Sequence, residues 1–332
     1  MSHYKQLTTK ERESILVLLT QGVTIRKIAE MLNRSPSTVS RELKRNTDKE
    51  GYSPSQAAAR YNIRRLASRR RRIFDNPLMK AFVQEKLLES QWSPEQIAFR
   101  TKLENSPFHC STTTIYRAIY DHLLEVKKLS NKERGIVLKL RHKGKRRRKQ
   151  GEKETRGKIR ISNPIEERPS AANDRSEFGH WEADTVVGKF NSACLLTLTD
   201  RKSRFLLTQK LPRKDGAAVR DGMIALLSAL PPSMVRSVTP DRGKEFAFHT
   251  QVSEALDGLP FYFPAPHAPW QRGTNENTNG LIREYCPKGT DLQHFPDDFF
   301  STFTFRLNLR PRKCLGWRSP FEIFFHKVLH LT

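Results

Sequence analysis

Between His180 and Pro212 the sequence runs through three apolar stretches, HWEADTVVGKF, ACLLTLTDRKSRF and FLLTQKLP. Each has the length and β-branched, apolar texture of a strand, and Asp200-Arg201-Lys202-Ser203 supplies the turn between the second and third. Three adjacent strands can only form a meander, and a meander must cover its faces. The residues beyond Pro212 supply the cover. Ala217 to Leu230 has helical spacing (Val219, Met223, Leu226, Leu227) and stops at Pro231-Pro232. A short strand, VRSVTP, ends at Asp241; a helix is expected over 246–256, then a strand LPFYFPAP, then a helix containing Glu276 after the turn HAPWQRG. A meander followed by helices alternating with strands predicts an α/β domain with a mixed sheet, over 173–332.

Three carboxylates in this half stand at places where an α/β sheet gathers its chemistry. Asp184 lies in the first strand, Asp241 just past a strand end, and Glu276 at the polar start of a helix able to pack across the same edge. Three acids at one point repel unless a hard cation lies between them, and oxygen-only ligation suits Mg²⁺ or Mn²⁺. Two such ions about 3.5–4 Å apart polarise a phosphodiester and activate the attacking oxygen. The spacing leaves alternatives. Glu182 alternates with Asp184 onto the same strand face, Glu245 reads as a surface acid one turn beyond Asp241, and Glu284 as an ion-pair partner of Arg283 or Lys288.

The other half is different in charge and in pattern. Residues 1–160 hold 38 Lys+Arg against 16 Asp+Glu, a net of +22, whereas 161–332 hold 22 against 19, a net of +3. A basic half joined to a near-neutral one points to a polyanion held by one part while the other acts. Nucleic acid is the leading partner. An anionic membrane is the weaker one: no apolar run approaches the roughly 20 residues of a bilayer span, and the N-terminus lacks the apolar core of a signal peptide. The cysteines (Cys110, Cys194, Cys286, Cys314) form no CxxC pair, which argues for free thiols rather than zinc or disulfides.

Within 1–50 the pattern is three short helices. Thr8 and Glu11 have capping-box spacing, Gly22 ends the first helix, Thr24 opens the second, and Ser35-Pro36 opens the third. Val39 and Leu43 pack that third helix, which leaves Ser37, Thr38, Ser40, Arg41, Lys44 and Arg45 outward, preceded by Arg34 in the turn. This is a helix-turn-helix pattern, with hydroxyls and Arg41 placed for base edges and Lys44 and Arg45 for phosphates. Residues 51–135 read as a basic segment and a second helix-turn-helix, opened by Ser93-Pro94 and by Ser111, with Thr112, Thr113 and Arg117 outward. The runs RRLASRRRR (64–72) and RHKGKRRRK (141–149) add phosphate-binding charge, and 136–172 reads as a basic linker.

The segments GHWEADTVVG, VTPDRGKEFA, PHAPWQRGTNENTNGLIREYCPKGTDL and LNLRPRKCLGWRSPFEIF, in that order, closely resemble bacterial transposases of the insertion sequence 30 family. The resemblance covers nearly the whole chain. It implies an N-terminal helix-turn-helix and a retroviral-integrase-like core with the ribonuclease H fold. Carried over by motif, it implies that the catalytic, metal-holding trio is Asp184 in HWEAD, Asp241 in TPDRG and Glu276 in NEN, with Asp184 preferred to Glu182. The 34 residues between Asp241 and Glu276 are close to the spacing usual for that superfamily. The resemblance further implies binding of terminal inverted repeats, hydrolysis at the element ends, joining of the 3′-hydroxyl to target DNA, at least a dimer on double-stranded DNA, and a bacterial cytoplasmic, nucleoid-associated location, with no membrane and no small-molecule substrate. Arg310, Arg312, Lys313 and Lys288 are candidates for DNA contact beside the site, a solvated face being the alternative.

Overall fold

The computed structural model describes residues 6–68, 72–125, 160–189, 193–266 and 268–332. The run 141–149 and the linker up to residue 159 lie outside the described residues. The chain divides into two compact units, Met1–Arg72 and Ile73–Thr332.

The first unit begins with helices α1 (Thr9–Thr20), α2 (Ile25–Met31) and α3 (Pro36–Asn46). Thr8 and Glu11 form the full capping box, each side chain accepting the other's backbone N–H, at 3.2 and 2.6 Å. Ser35 caps α3 and Pro36 takes its first position. Ile15, Ile28, Ala29 and Val39 are wholly buried between the three helices. A hairpin the sequence did not announce comes next, pairing β1 (Thr47–Asp48) with β2 (Gly51–Tyr52), and then α4 (Pro54–Ala67). Helix α4 belongs with α1 and α3 rather than with a segment starting at residue 51. Arg60 reaches the Asn46 carbonyl at 3.0 Å and Asp48 at 2.9 Å, and Arg64 reaches Asn46 Oδ1 at 3.1 Å.

The second unit opens with α5 (Pro77–Leu88), α6 (Pro94–Leu103) and α7 (Thr112–Tyr120), packed around Val83, Ile97, Ile115, Ile119 and Leu124. It continues with β3 (Asn163–Pro164), α8 (Ser170–Asp174), β4 (His180–Val187), β5 (Cys194–Asp200), β6 (Leu206–Leu211), α9 (Gly216–Ser228), β7 (Ser237–Thr239), α10 (His249–Ala255) and β8 (Tyr262–Phe263). Helices α11 (Gly273–Tyr285), α12 (Asp297–Leu309) and α13 (Pro320–Phe324) complete it. The expected linker therefore ends early: β3 pairs with β8, and the Ala172 carbonyl accepts from buried Arg201 at 2.7 Å. The helix and strand expected over 246–256 and LPFYFPAP are shorter, with a 3₁₀ turn at Lys244–Phe246 ahead of α10.

The central sheet has the order β6-β5-β4-β7, antiparallel across the meander and parallel between β4 and β7. Both faces are covered, as the unbroken burial of β5 requires. Leu196 and Leu198 face Val219, Met223 and Phe246; Leu195 faces Leu281, Phe300 and Phe303 on the other side. This is the mixed-sheet α/β core that the element pattern predicts. The C-terminal segment does not trail away from it. Arg100 of α6, almost wholly buried, donates to both Glu322 carboxylate oxygens (2.6 and 2.8 Å) and to the Trp317 and Leu329 carbonyls. Burial alone would raise the Glu322 pKa, but Arg100 and nearby N–H donors hold it at about 2. The α5–α7 helices and the sheet are thus tied into one body.

Candidate active site and nucleic-acid interface

The parallel register explains how two distant aspartates meet. Glu182 on β4 is opposite Thr239 on β7. Two residues further along stand Asp184, within β4 and on the same face as Glu182, and Asp241, just past the end of β7; adjacent strands are spaced about 4.8 Å apart. One guanidinium bridges them: Arg272 Nη2 lies 3.0 Å from Asp184 Oδ2 and Arg272 Nη1 3.7 Å from Asp241 Oδ2. Burial raises the Asp241 pKa, the negative charges of Asp184 and Glu245 push the same way, and Arg272 opposes them. Such a pair of like charges calls for a cation between them.

Each aspartate is also held by the backbone. Asp184 Oδ1 accepts the Thr185 N–H at 2.8 Å, and Asp184 Oδ2 accepts Asn279 Nδ2 at 2.9 Å. Asp241 Oδ1 accepts the Gly243 N–H at 2.7 Å. A Cβ at Gly243 would meet that same Asp241 oxygen at 2.7 Å as well as the Glu245 carboxylate, so a side chain there must push both carboxylates aside.

Glu182, which spacing could not separate from Asp184, has a different task. It is fully buried, ion-paired with buried Arg201, and accepts the Asn275 N–H at 2.9 Å. That N–H is one of the unpaired donors at the start of α11, so Glu182 caps this helix from the neighbouring strand. The helix then runs along β4. Arg272 donates to the Ala183 carbonyl at 3.1 Å, Asn279 to Asp184, and Arg283 to the Val187 carbonyl at 3.0 Å.

Glu276 stands on the turn between anchored Asn275 and Asn279, and its side chain is exposed. The structure brings Asp184 and Asp241 together around Arg272. Among the described residues no three acidic, histidine or cysteine side chains close into a metal-holding cluster. Oxygen atoms nonetheless gather that suit a hard cation: two carboxylates turn to one positive group, and Asn275 Oδ1 and Asn279 Oδ1 are buried with no hydrogen-bond partner among the described residues.

Other expectations are corrected. Glu245 is buried rather than superficial; Lys214 lies 2.7 Å away and Thr185 Oγ1 donates to it at 3.1 Å. Burial would raise its pKa, but these two groups hold it below the ordinary range. Glu284 pairs with Arg310 at 2.8 Å instead of Arg283 or Lys288. Arg310 is accordingly buried, with Tyr285 Oη as a second acceptor, and is not a surface cation. Arg272 was missed because an arginine amid polar residues is a common surface pattern; only the register of β4 and β7 reveals what it touches.

In the first unit, Ser37, Ser40, Arg41, Lys44 and Arg45 are exposed along α3, and Thr38 is half-buried with its N–H on Ser35 Oγ. Arg41 folds back onto the Ser37 carbonyl and hydroxyl at 3.0 and 3.1 Å. Arg34 is engaged by Glu11 at 2.7 Å, which gives it a structural task in the turn. A cleft of about 490 Å³ between α3 and α4 is lined by Arg41, Arg45, Arg64 and Arg65. In the second unit Thr113 and Arg117 are exposed on α7, while Thr112 is half-buried.

A helix-turn-helix unit with a basic cleft, followed by an α/β sheet whose neighbouring strands bring two aspartates together, defines a nucleic-acid-binding protein with a candidate acidic centre. A family model described as a helix-turn-helix domain matches residues 3–46. The transposase of insertion sequence element IS30A from Escherichia coli (strain K12) is 41% identical over 96% of this chain and 82% of its own length. That of IS1086 from Cupriavidus metallidurans is 36% identical over 99% and 97%, and that of IS4351 from Bacteroides fragilis 35% identical over 96% and 95%. The solved catalytic core domain of BIV integrase is a distant likeness, 18% identical over 44% of this chain and 93% of that one, with a TM-score of 0.35. The chain belongs to the insertion sequence 30 family of transposases.

Proposed function

We propose that this chain moves its own insertion sequence by cutting and joining DNA at a metal-dependent acidic site formed by Asp184, Asp241 and Glu276. The observation that supports this most is the meeting of Asp184, within β4, and Asp241, just past the end of parallel β7, around a single cationic group. Exposed α3 and the arginine-lined cleft beside it bind the terminal inverted repeats, and α7 extends the contact through Thr113 and Arg117. Charge over these surfaces supplies affinity, and Ser37, Ser40 and Arg41 supply base readout.

Asp184, Asp241 and Glu276 would hold Mg²⁺ or Mn²⁺, which polarises the phosphodiester and stabilises the charge that develops on its oxygens. The chain's own residues set the stage. Thr185 N–H and Asn279 fix the Asp184 carboxylate, Gly243 N–H fixes that of Asp241, and Glu182 fixes the helix that brings Glu276. Arg272 withdraws from the aspartates and becomes available to a phosphate oxygen. Water then attacks the phosphorus at the element end, and the bond to the flanking strand breaks to leave a 3′-hydroxyl. That hydroxyl attacks a target phosphodiester in turn, with one bond formed for each broken. Two ends must be joined in one complex, so the working form is at least a dimer on DNA.

Purified protein with a labelled duplex ending in the element's inverted repeat, in Mg²⁺ or Mn²⁺, tests this against Glu276→Gln. Wild type is expected to nick at the repeat end and to join it to other DNA, and the variant to bind without doing either. Nicking without joining would make the chain a nuclease; a variant as active as wild type would remove Glu276 from the site.

A further inference from the structure

The chain has four tryptophans. Trp92 and Trp181 are buried, and Trp317 stacks on Phe99 with centroids 4.5 Å apart. Trp270 is 76% exposed. It stands in the 3₁₀ turn Pro269–Arg272 that leads into α11.

Its neighbours are fixed. Ala268 is buried, the Gln271 N–H donates to the Ala268 carbonyl at 3.1 Å, and Gln271 Oε1 accepts the Ala265 N–H at 2.8 Å. Arg272 is held by the Ala183 carbonyl and Asp184. A turn pinned on both sides keeps the indole out in solvent. At about 2 Å of rise per residue in a 3₁₀ turn, Trp270 lies roughly 4 Å along the chain from Arg272, whose guanidinium rests on both aspartates. One of the chain's four largest apolar side chains is therefore held in water two residues from Arg272, the group that rests on both aspartates. Nucleobases are the flat apolar groups that accompany any phosphodiester, and they stack on aromatic rings without regard to sequence. A base inside a duplex has both faces covered, whereas one at a strand end about to be cut can leave the stack.

We propose that Trp270 is a base-stacking residue: its indole receives a nucleobase unstacked from the strand whose phosphodiester faces Asp184 and Asp241. This rests on the reading that those aspartates cut DNA. The indole would hold the strand end open and fix the scissile bond against the carboxylates. Removing the ring is expected to slow nicking about 5- to 150-fold, the range that loss of one stacked base gives.

The test uses the full chain with duplexes ending in the element's inverted repeat, intact or with one abasic nucleotide at each terminal position in turn. With Ca²⁺ in place of Mg²⁺, the fluorescence difference between wild type and Trp270→Phe isolates the exposed indole. It is expected to be quenched by the intact end and, for one abasic position, to stay unquenched. With Mg²⁺, Trp270→Ala is expected to nick the intact end slowly, Trp270→Phe to recover most of the rate, and the two defects to be non-additive: at that abasic position Ala and wild type should nick equally. Asp184→Asn should still quench and not cut; if it cuts, the reading of the acidic site fails, whatever Trp270 does. If Asp184→Asn is dead while Trp270→Ala nicks at the wild-type rate and the intact end leaves the indole unquenched, the stacking proposal alone is overturned. A change in the sedimentation of DNA-free protein on Trp270→Ala, with cutting unchanged, would likewise overturn it in favour of contact with a second copy of the chain.

Discussion

Glu182 and Asp184 lie two residues apart on one face of β4, and exchanging their charges for amides separates scaffold from site. Glu182→Gln takes from buried Arg201 its ion-pair partner, leaving the Ala172 carbonyl and the more weakly coupled Asp200, and weakens the acceptor for the Asn275 N–H. Burial already lowers the Arg201 pKa against the pull of Glu182, its strongest attractive partner. Breaking a buried pair by removing one partner costs about 3–5 kcal/mol. At roughly 2–4 °C per kcal/mol for a unit of this size, the melting point should fall by about 6–20 °C. Asp184→Asn removes one of two like charges and keeps the backbone bond to Thr185, so stability should change by about 1 kcal/mol or less while strand cutting is lost. Near-UV circular dichroism during heating reports the second unit through wholly buried Trp181. If Glu182→Gln melted with wild type, or Asp184→Asn unfolded while Glu182→Gln cut normally, the division of labour on β4 would be wrong.

Other consequences are equally concrete. Arg272→Gln should bind Mn²⁺ about tenfold more tightly, because the cation no longer displaces an ion pair worth ~1.4 kcal/mol; calorimetric titration of the DNA-free protein reads this directly, and unchanged affinity would deny that Arg272 occupies the cation's place. Gly243→Ala should abolish cutting while leaving repeat binding intact in a gel-shift assay, since its Cβ displaces the Asp241 and Glu245 carboxylates. The Glu11 carboxyl, bonded chiefly by Arg34, falls from the ordinary 4.5 to about 2. A depressed acid stabilises the folded state above its unfolded pKa and ceases to do so as pH falls through the folded one. The protection factors of the α1 amides, exchange rates corrected for the intrinsic pH dependence, should therefore fall progressively from about pH 5 to 2, and Arg34→Met should flatten that dependence.

Local chemistry was legible where it is written in consecutive residues. Thr8 with Glu11, and Ser35 with Pro36, announce helix starts because caps act within one turn, and the meander announces itself through alternation and turn residues. Asp184, Asp241 and Glu276 stood out as acids near predicted strand and helix ends. Long-range partners were not legible. Glu245 looked superficial because nothing nearby in sequence says that Lys214 and Thr185 enclose it, and Arg310 looked like a free cation because Glu284 lies 26 residues away. The stretch forming α4 reads only as part of a basic segment until Arg60 and Arg64 are seen holding Asn46 and Asp48. Spacing left Glu182 and Asp184 equivalent and only the family resemblance preferred Asp184; the task of Glu182, on which Arg201 and the start of α11 both converge, needed three dimensions.

The central claim is that Glu276 joins Asp184 and Asp241 around divalent cations when a DNA end is in place. An anomalous difference map from crystals of the Mn²⁺-loaded complex with an inverted-repeat end tests it most directly. The account predicts manganese peaks bounded by Asp184, Asp241 and Glu276, with Arg272 withdrawn from both aspartates. Manganese elsewhere, or a site completed by another group while Glu276 stays turned to solvent, would contradict it.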